Sequence, residues 1–165
     1  ADEGDNTAVN PFSGAVAKIR SQVCMKHAKG TRAFWFLPLV HHLGCVGHSI
    51  VIVHGVFFAT TKGVSLEAAT FIITIYSFSS IASKLMVPIL ADRLGAKGVM
   101  AFFYFIQGAA VVMLFWTAEP WQFYLFAVVF GVGFGGEMSA FLVVNRQYFG
   151  MGPVRTGFGF QSMGA

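Results

Sequence analysis

Four long apolar stretches constrain the fold of this chain more than any other feature. They run about 33–60, 68–91, 98–118 and 120–145, and a fifth begins near 153 and reaches residue 165. A helix needs roughly 20 mostly apolar residues to cross a bilayer, because hydrocarbon cannot satisfy the hydrogen bonds of an open backbone. We therefore predict an all-α fold: a polytopic membrane helix bundle of four transmembrane helices and the start of a fifth.

The scarcity of charge supports this prediction. Only 11% of the 165 residues are charged, whereas soluble domains carry about 25%, and the mean hydropathy is +0.68. So few charges cannot cover a water-facing surface. We expect the lipid bilayer as a partner, and no nucleic acid.

The first 32 residues differ in character from the rest. They form a basic leader with an acidic start and no apolar signal-peptide core, and we interpret 1–32 as a cytoplasmic linker. The chain opens with Ala and stops inside an apparent helix, so we expect it to be a piece of a longer protein. Its two cysteines, Cys24 and Cys45, do not suggest a disulfide framework.

Basic residues outside the spans gather on one side of the membrane. Short loops make successive helices antiparallel, which places the leader, the second loop and the segment after the fourth span together. These hold Lys18, Arg20, Lys26, Lys29, Arg32, Arg93, Lys97, Arg146 and Arg155. The opposite side holds only Lys62. Since cytoplasmic loops carry the excess of Lys and Arg, this asymmetry predicts a cytoplasmic N-terminus for the chain.

The loop after the second span carries a recognisable motif. It resembles the signature loop of the major facilitator superfamily, Gly-x-x-x-Asp-Arg-x-Gly-Arg-Arg. The matching residues are Asp92, Arg93, Gly95 and Lys97. Pro88 replaces the first Gly and Ala96 replaces one basic residue, and such departures are typical of the copy in the second half of these proteins. By this resemblance, 33–165 is a partial C-terminal transmembrane bundle, and its partner is the N-terminal half of the same protein.

The fourth span narrows the resemblance. Its Gly-rich segment 130–136 and its ending 145–150 are similar to the monocarboxylate and oxalate/formate branch. That branch implies secondary active transport of small organic anions by alternating access, in a plasma or inner membrane, with no cofactor and no enzymatic activity. Two alternatives stay open: a non-transporting receptor or assembly subunit on the same fold, and a membrane redox protein that binds haem. The histidines of the spans all lie on the first one, which argues against haem.

Lys84 is a charge within the second span. One interpretation is that its side chain extends to the inner interface, and the other is that it lines a water-filled cavity and binds an anionic substrate. The resemblance implies a basic substrate-binding residue at this place. Ser80 stands where animal monocarboxylate transporters carry an acidic neighbour, and we expect it to belong to the same substrate-binding site.

Glu137, in the fourth span, has three open interpretations. It lies at about the same depth as Lys84, so the two side chains are candidates for an ion pair. Alternatively, Glu137 carries a proton during transport, or it packs at the helix end against cytoplasmic arginines such as Arg146.

The first span carries histidines at helical spacing. His41, Cys45 and His48 fall on one face, a spacing compatible with metal binding, but polar groups facing a cavity explain it better and we predict no metal. We expect His48 and His54 to bind a substrate carboxylate or to relay a proton.

Two further groups complete the predictions. Asp92 is expected to latch one conformation by pairing with the start of the fifth helix or with Arg146. Four glycines are expected to let helices approach closely: Gly131, Gly133, Gly135 and Gly136. Three of them fit a dinucleotide-binding pattern, but that pattern requires a strand before it.

Overall fold

The structure is a computed structural model that describes residues 16, 19, 22–23 and 25–149. Its four long helices are α1 (Arg32–Thr61), α2 (Leu66–Leu94), α3 (Ala96–Met113) and α4 (Pro120–Phe149), and a 3-10 turn (Leu114–Trp116) continues α3. Each is long and apolar enough to cross a membrane. The prediction of an all-α membrane helix bundle is confirmed. The predicted fifth helix lies outside the described residues.

The helix ends follow from capping residues. The Ser65 hydroxyl oxygen accepts a hydrogen bond from the Ala68 amide at 3.3 Å and begins α2. At the other end of α2, Gly95 adopts φ +85°, a left-handed conformation that costs glycine little. It ends α2 and lets α3 start at the next residue. The loop predicted over 92–97 is therefore wrong in length, because a single residue makes the connection.

The third connection is also capped by side chains. Gln122 Oε1 accepts hydrogen bonds from the backbone amides of Ala118 and Glu119, at 2.7 and 3.0 Å. Pro120 occupies the start of α4, where the missing amide proton of proline costs nothing. These contacts fix the turn that brings α4 back through the bundle.

Helix α4 is the centre of the bundle, and its glycines touch α2 and α3. An added Cβ on Gly131 would meet the Tyr76 carbonyl of α2, and one on Gly133 would lie 2.8 Å from the Gln107 amide of α3. Gly135 lies in the same way against the backbone of Ser80 of α2, whereas Gly136 lies against the Phe103 ring of α3. The backbone-to-backbone approach at the first three positions requires residues without side chains.

Helix α1 docks on this three-helix core along one narrow stripe. Its buried residues are Phe34, His41, Cys45, His48 and Ala59. Both ends of the stripe are apolar, but its middle is polar. The bundle therefore encloses histidine side chains at mid-span, where burying polar groups is costly unless they find partners.

Candidate functional site

Glu137 is the partner of the buried histidines. Its side chain is 0% exposed at the middle of α4. Tyr104 of α3 donates a hydrogen bond from its hydroxyl to Glu137 Oε1 at 2.9 Å. His41 Nδ1 lies 3.3 Å from the same oxygen, and His48 Nδ1 lies 3.6 Å from Oε2. Three helices thus contribute to one buried polar cluster, which we call the Glu137 cluster: His41, His48, Tyr104 and Glu137.

Aromatic contacts fix the two imidazole rings. The two histidines are seven residues apart, about two helical turns, so both face α4. The His41 ring stacks on Phe141, with centroids 3.9 Å apart and planes at 8°. The His48 ring meets Phe134 at 4.6 Å and 76°, a T-shaped contact. Each ring therefore has a defined orientation toward the carboxylate.

Gly44 makes room for the cluster. It lies between the two histidines in sequence, and a Cβ there would be 2.6 Å from Tyr104 Cε1 and 3.2 Å from Glu137 Oε1. Only a residue without a side chain lets the tyrosine ring reach Glu137 past α1. The Tyr104 hydroxyl also lies 3.3 Å from the Val40 carbonyl oxygen, a second acceptor on α1.

One side of the cluster is incompletely bonded. Glu137 Oε2 and His48 Nδ1 are both buried and make no hydrogen bond within the described chain. Their separation of 3.6 Å exceeds an ordinary hydrogen bond of about 2.7–3.2 Å, and a small rotation of either group would close it. A buried carboxylate oxygen therefore faces an imidazole nitrogen without a hydrogen bond between them.

Cys45 adds a thiol beside the cluster. Its Sγ lies 3.6 Å from His41 Nε2. Even so, within the described residues no three His, Cys, Asp or Glu side chains are arranged to hold a metal ion. The contact is that of a buried thiol packed against an imidazole.

Lys84 lies at the edge of the same region, on the exposed face of α2. Its Nζ is 5.6 Å from the centroid of the Phe134 ring, which is within the range of a cation–π interaction. Within the part of the chain that the structure describes, no ion pair joins Lys84 to Glu137. The Glu137 carboxylate contacts histidines instead, because its side chain points toward α1 and α3.

Comparison with known protein families decides the identity. The family model of the Major Facilitator Superfamily matches residues 2–165. The chain belongs to the major facilitator superfamily. Comparison with curated proteins gave no match. The predicted superfamily is thereby confirmed, and its members are multi-pass membrane proteins that transport small solutes.

The segment that resembles the superfamily's signature loop is compact in this chain. Asp92 and Arg93 are exposed in the last turn of α2, and Lys97 places its Nζ 4.8 Å from the centroid of Tyr148 near the end of α4. Among the described residues, no ion pair connects Asp92 with Arg146, which is exposed. The other expected partner of Asp92, the start of the fifth helix, lies outside the described residues.

The remaining predicted substrate residues are dispersed. Ser80 is 3% exposed and lies in the tight contact with Gly135, so it packs between helices. His54 is exposed on α1, six residues and about 9 Å along the helix from His48. The structure therefore brings His48 together with Glu137, and it leaves Ser80 and His54 outside that cluster.

Two members of the cluster had no assigned role in the sequence analysis. His41 was noted only for its spacing, and it shares a helix face with His48, which was a usable signal. Tyr104 lies in the charge-free third span, where it is the one tyrosine among phenylalanines, so its hydroxyl was the available signal.

Proposed function

We propose that this chain is part of a secondary active transporter that couples the movement of small organic anions, such as monocarboxylates, to protons. The observation that carries the proposal is the complete burial of Glu137 between His41, His48 and Tyr104. A carboxyl group in the membrane region is costly and is typically kept for function.

The chemistry of the cluster suits reversible protonation. Histidine changes charge near neutral pH, and a carboxylate beside two imidazoles shares its protons with them as one coupled system. The unbonded pair of Glu137 Oε2 and His48 Nδ1 leaves a site for the proton. Tyr104 contributes a donor that stays directed at the carboxylate.

Lys84 supports the choice of an anion. Its ammonium group is exposed on α2 and has no ion pair with any described carboxylate. An ammonium held over an aromatic ring remains able to accept an anion as a stronger partner. We infer that Lys84 faces the transport pathway and binds the substrate carboxylate, with His54 farther along α1 as a second polar contact.

The charges of the loops and the segment that resembles the signature loop support a proposal for the orientation of the chain and its missing half. In this proposal the N-terminus of the chain is cytoplasmic, the membrane is the plasma or inner membrane, and a second half of the same protein completes the pathway. Asp92 latches one conformation at the end where α2 meets α3. Two halves rocking around a central site would then give alternating access.

Uptake by the full-length protein in proteoliposomes tests the proposal. Labelled acetate, pyruvate, lactate and oxalate serve as probes, each with and without an imposed pH gradient. We expect gradient-dependent uptake in the parent protein, loss of the gradient dependence with retained exchange in Glu137→Gln, and loss of anion binding in Lys84→Ala.

Lys62→Ala is the matched control. Lys62 also lies over a phenylalanine ring, with its Nζ 5.5 Å from the centroid of Phe58, but at the opposite end of the bundle. It should leave uptake unchanged. Binding without flux would favour the receptor alternative, and neither flux nor binding for any probe would overturn the anion proposal.

A further inference from the structure

One aromatic ring connects the two sites of the proposed function. Phe134 of α4 holds the Lys84 ammonium 5.6 Å from its centroid. The same ring makes the T-shaped contact with His48, at 4.6 Å and 76°. It is the one described ring for which both a cation contact to Lys84 and a contact to the Glu137 cluster are observed.

The hold of Lys84 on this ring depends on what else the ammonium binds. A cation is attracted to the face of a ring by its quadrupole, and that attraction is weak beside a full negative charge at contact distance. An anion arriving at Lys84 would draw the ammonium away. Phe134 would then keep its ring contacts, with His48 at 4.6 Å, Tyr76 at 5.7 Å and Phe130 stacked at 6.4 Å.

A change in the ring position is transmitted to His48. Edge-to-face contacts favour one relative orientation of two rings, so the imidazole orientation follows that of Phe134. His48 Nδ1 and Glu137 Oε2 are 3.6 Å apart, just beyond hydrogen-bond distance, and both lack a hydrogen bond within the described chain. A shift of a few tenths of an ångström decides whether they bond.

We propose that Phe134 is a positioning residue that couples anion binding at Lys84 to protonation of the His48–Glu137 pair. This inference rests on the proposed function, because it needs an anion at Lys84 and a proton in the cluster. The titratable groups beside Glu137 are His41 and His48 of α1 and Tyr104 of α3, with Cys45 next to His41. Tyr76 and Lys84 of α2 face the Phe134 ring.

The test compares the pH dependence of anion affinity across variants of the full-length protein. The half-saturation concentration for a transported probe is measured between about pH 5.5 and about pH 7.5, where histidine titrates. The parent protein should show a change of roughly fivefold or more, the lower range of typical couplings between sites. In Phe134→Leu the half-saturation concentration should become nearly independent of pH. Phe134→Tyr, which keeps the ring, should show the pH dependence of the parent protein.

Phe130→Leu is the control, because its ring contacts Phe134, Tyr76 and Phe126. It should keep the parent pH dependence. If Phe134→Leu does not fold, Phe134→Met offers an unbranched side chain without a ring. A direct readout is the infrared band of protonated Glu137, identified by its loss in Glu137→Gln. Addition of the probe anion should shift this band in the parent protein and leave it unmoved in the Leu or Met variant.

Failure of the Phe134 proposal can be distinguished from failure of the proposed function. A parental pH dependence in both ring-less variants, with the infrared shift intact, would overturn the role of Phe134 and leave the proposed function standing. A parent protein whose uptake is insensitive to pH, to Glu137→Gln and to Lys84→Ala would overturn both.

Discussion

Replacement of Gly44 by alanine tests whether the Glu137 cluster depends on close approach of α1. The new Cβ would lie 2.6 Å from Tyr104 Cε1 and 3.0 Å from its hydroxyl oxygen, whereas ordinary contacts begin at 3.4 Å. The ring must therefore retreat by 0.8 Å from Cβ. Because ring and hydroxyl move together, the 2.9 Å hydrogen bond to Glu137 is strained or lost.

Three contributions determine how much Gly44→Ala changes the free energy of unfolding. Hydrogen bonds between transmembrane helices are worth about 0.6 kcal/mol on average and up to about 1.7, and overpacking costs about 1–3 kcal/mol. Alanine regains about 1 kcal/mol of helix propensity over glycine. We expect Gly44→Ala to lower the free energy of unfolding by about 1–4 kcal/mol. In uptake assays, the proton dependence should weaken.

Gly47 supplies the matched control on the same helix. A Cβ at Gly47 meets nothing within 4 Å, so Gly47→Ala should be neutral or slightly stabilising. Reversible unfolding of the purified protein in detergent, followed by circular dichroism, gives the comparison. In a Tyr104→Phe background the effect of Gly44→Ala should shrink, because the hydroxyl bond is already absent. Equal stability and equal proton dependence of the two alanine variants would refute the argument.

Two other substitutions address helix packing and the loop motif. Gly135→Ala should destabilise the bundle by about 3 kcal/mol or more, because its Cβ would press on the backbone of Ser80, which cannot rotate away. Gly108 faces open space, so Gly108→Ala should be neutral in the same unfolding assay. Asp92→Asn should shift the balance between inward- and outward-open states, and unchanged labelling of cysteines introduced into the proposed pathway would contradict the latch.

The spans were predictable from sequence because their signal is local. Each helix is indicated by an apolar stretch of membrane-spanning length with at most one charged residue inside it, and the observed bounds differ from the predicted ones by a few residues. The exception is the end of α3, where Leu114–Trp116 tightens into a 3-10 turn. The sequence also predicted close packing at α4, and the structure places its glycines in contact with α2 and α3.

The partner of Glu137 was not predictable in the same way. Depth along a helix follows from counting residues, and it placed Lys84 and Glu137 at similar levels. The direction in which each side chain points depends on the rotation of packed helices, which hydropathy does not encode. Glu137 is turned toward α1 and α3, whereas the Lys84 ammonium lies over the Phe134 ring. Tyr104 was missed for the same reason.

The single residue that joins α2 to α3 has a mechanical consequence. One residue spans at most about 3.6 Å, so the Leu94 end of α2 and the Ala96 end of α3 have no slack between them. A translation of either helix end must therefore move the end of the other. Gly95 thus keeps the ends of two membrane-length helices together, so a displacement of the α2 end that carries Asp92 also displaces the start of α3, the helix that carries Tyr104.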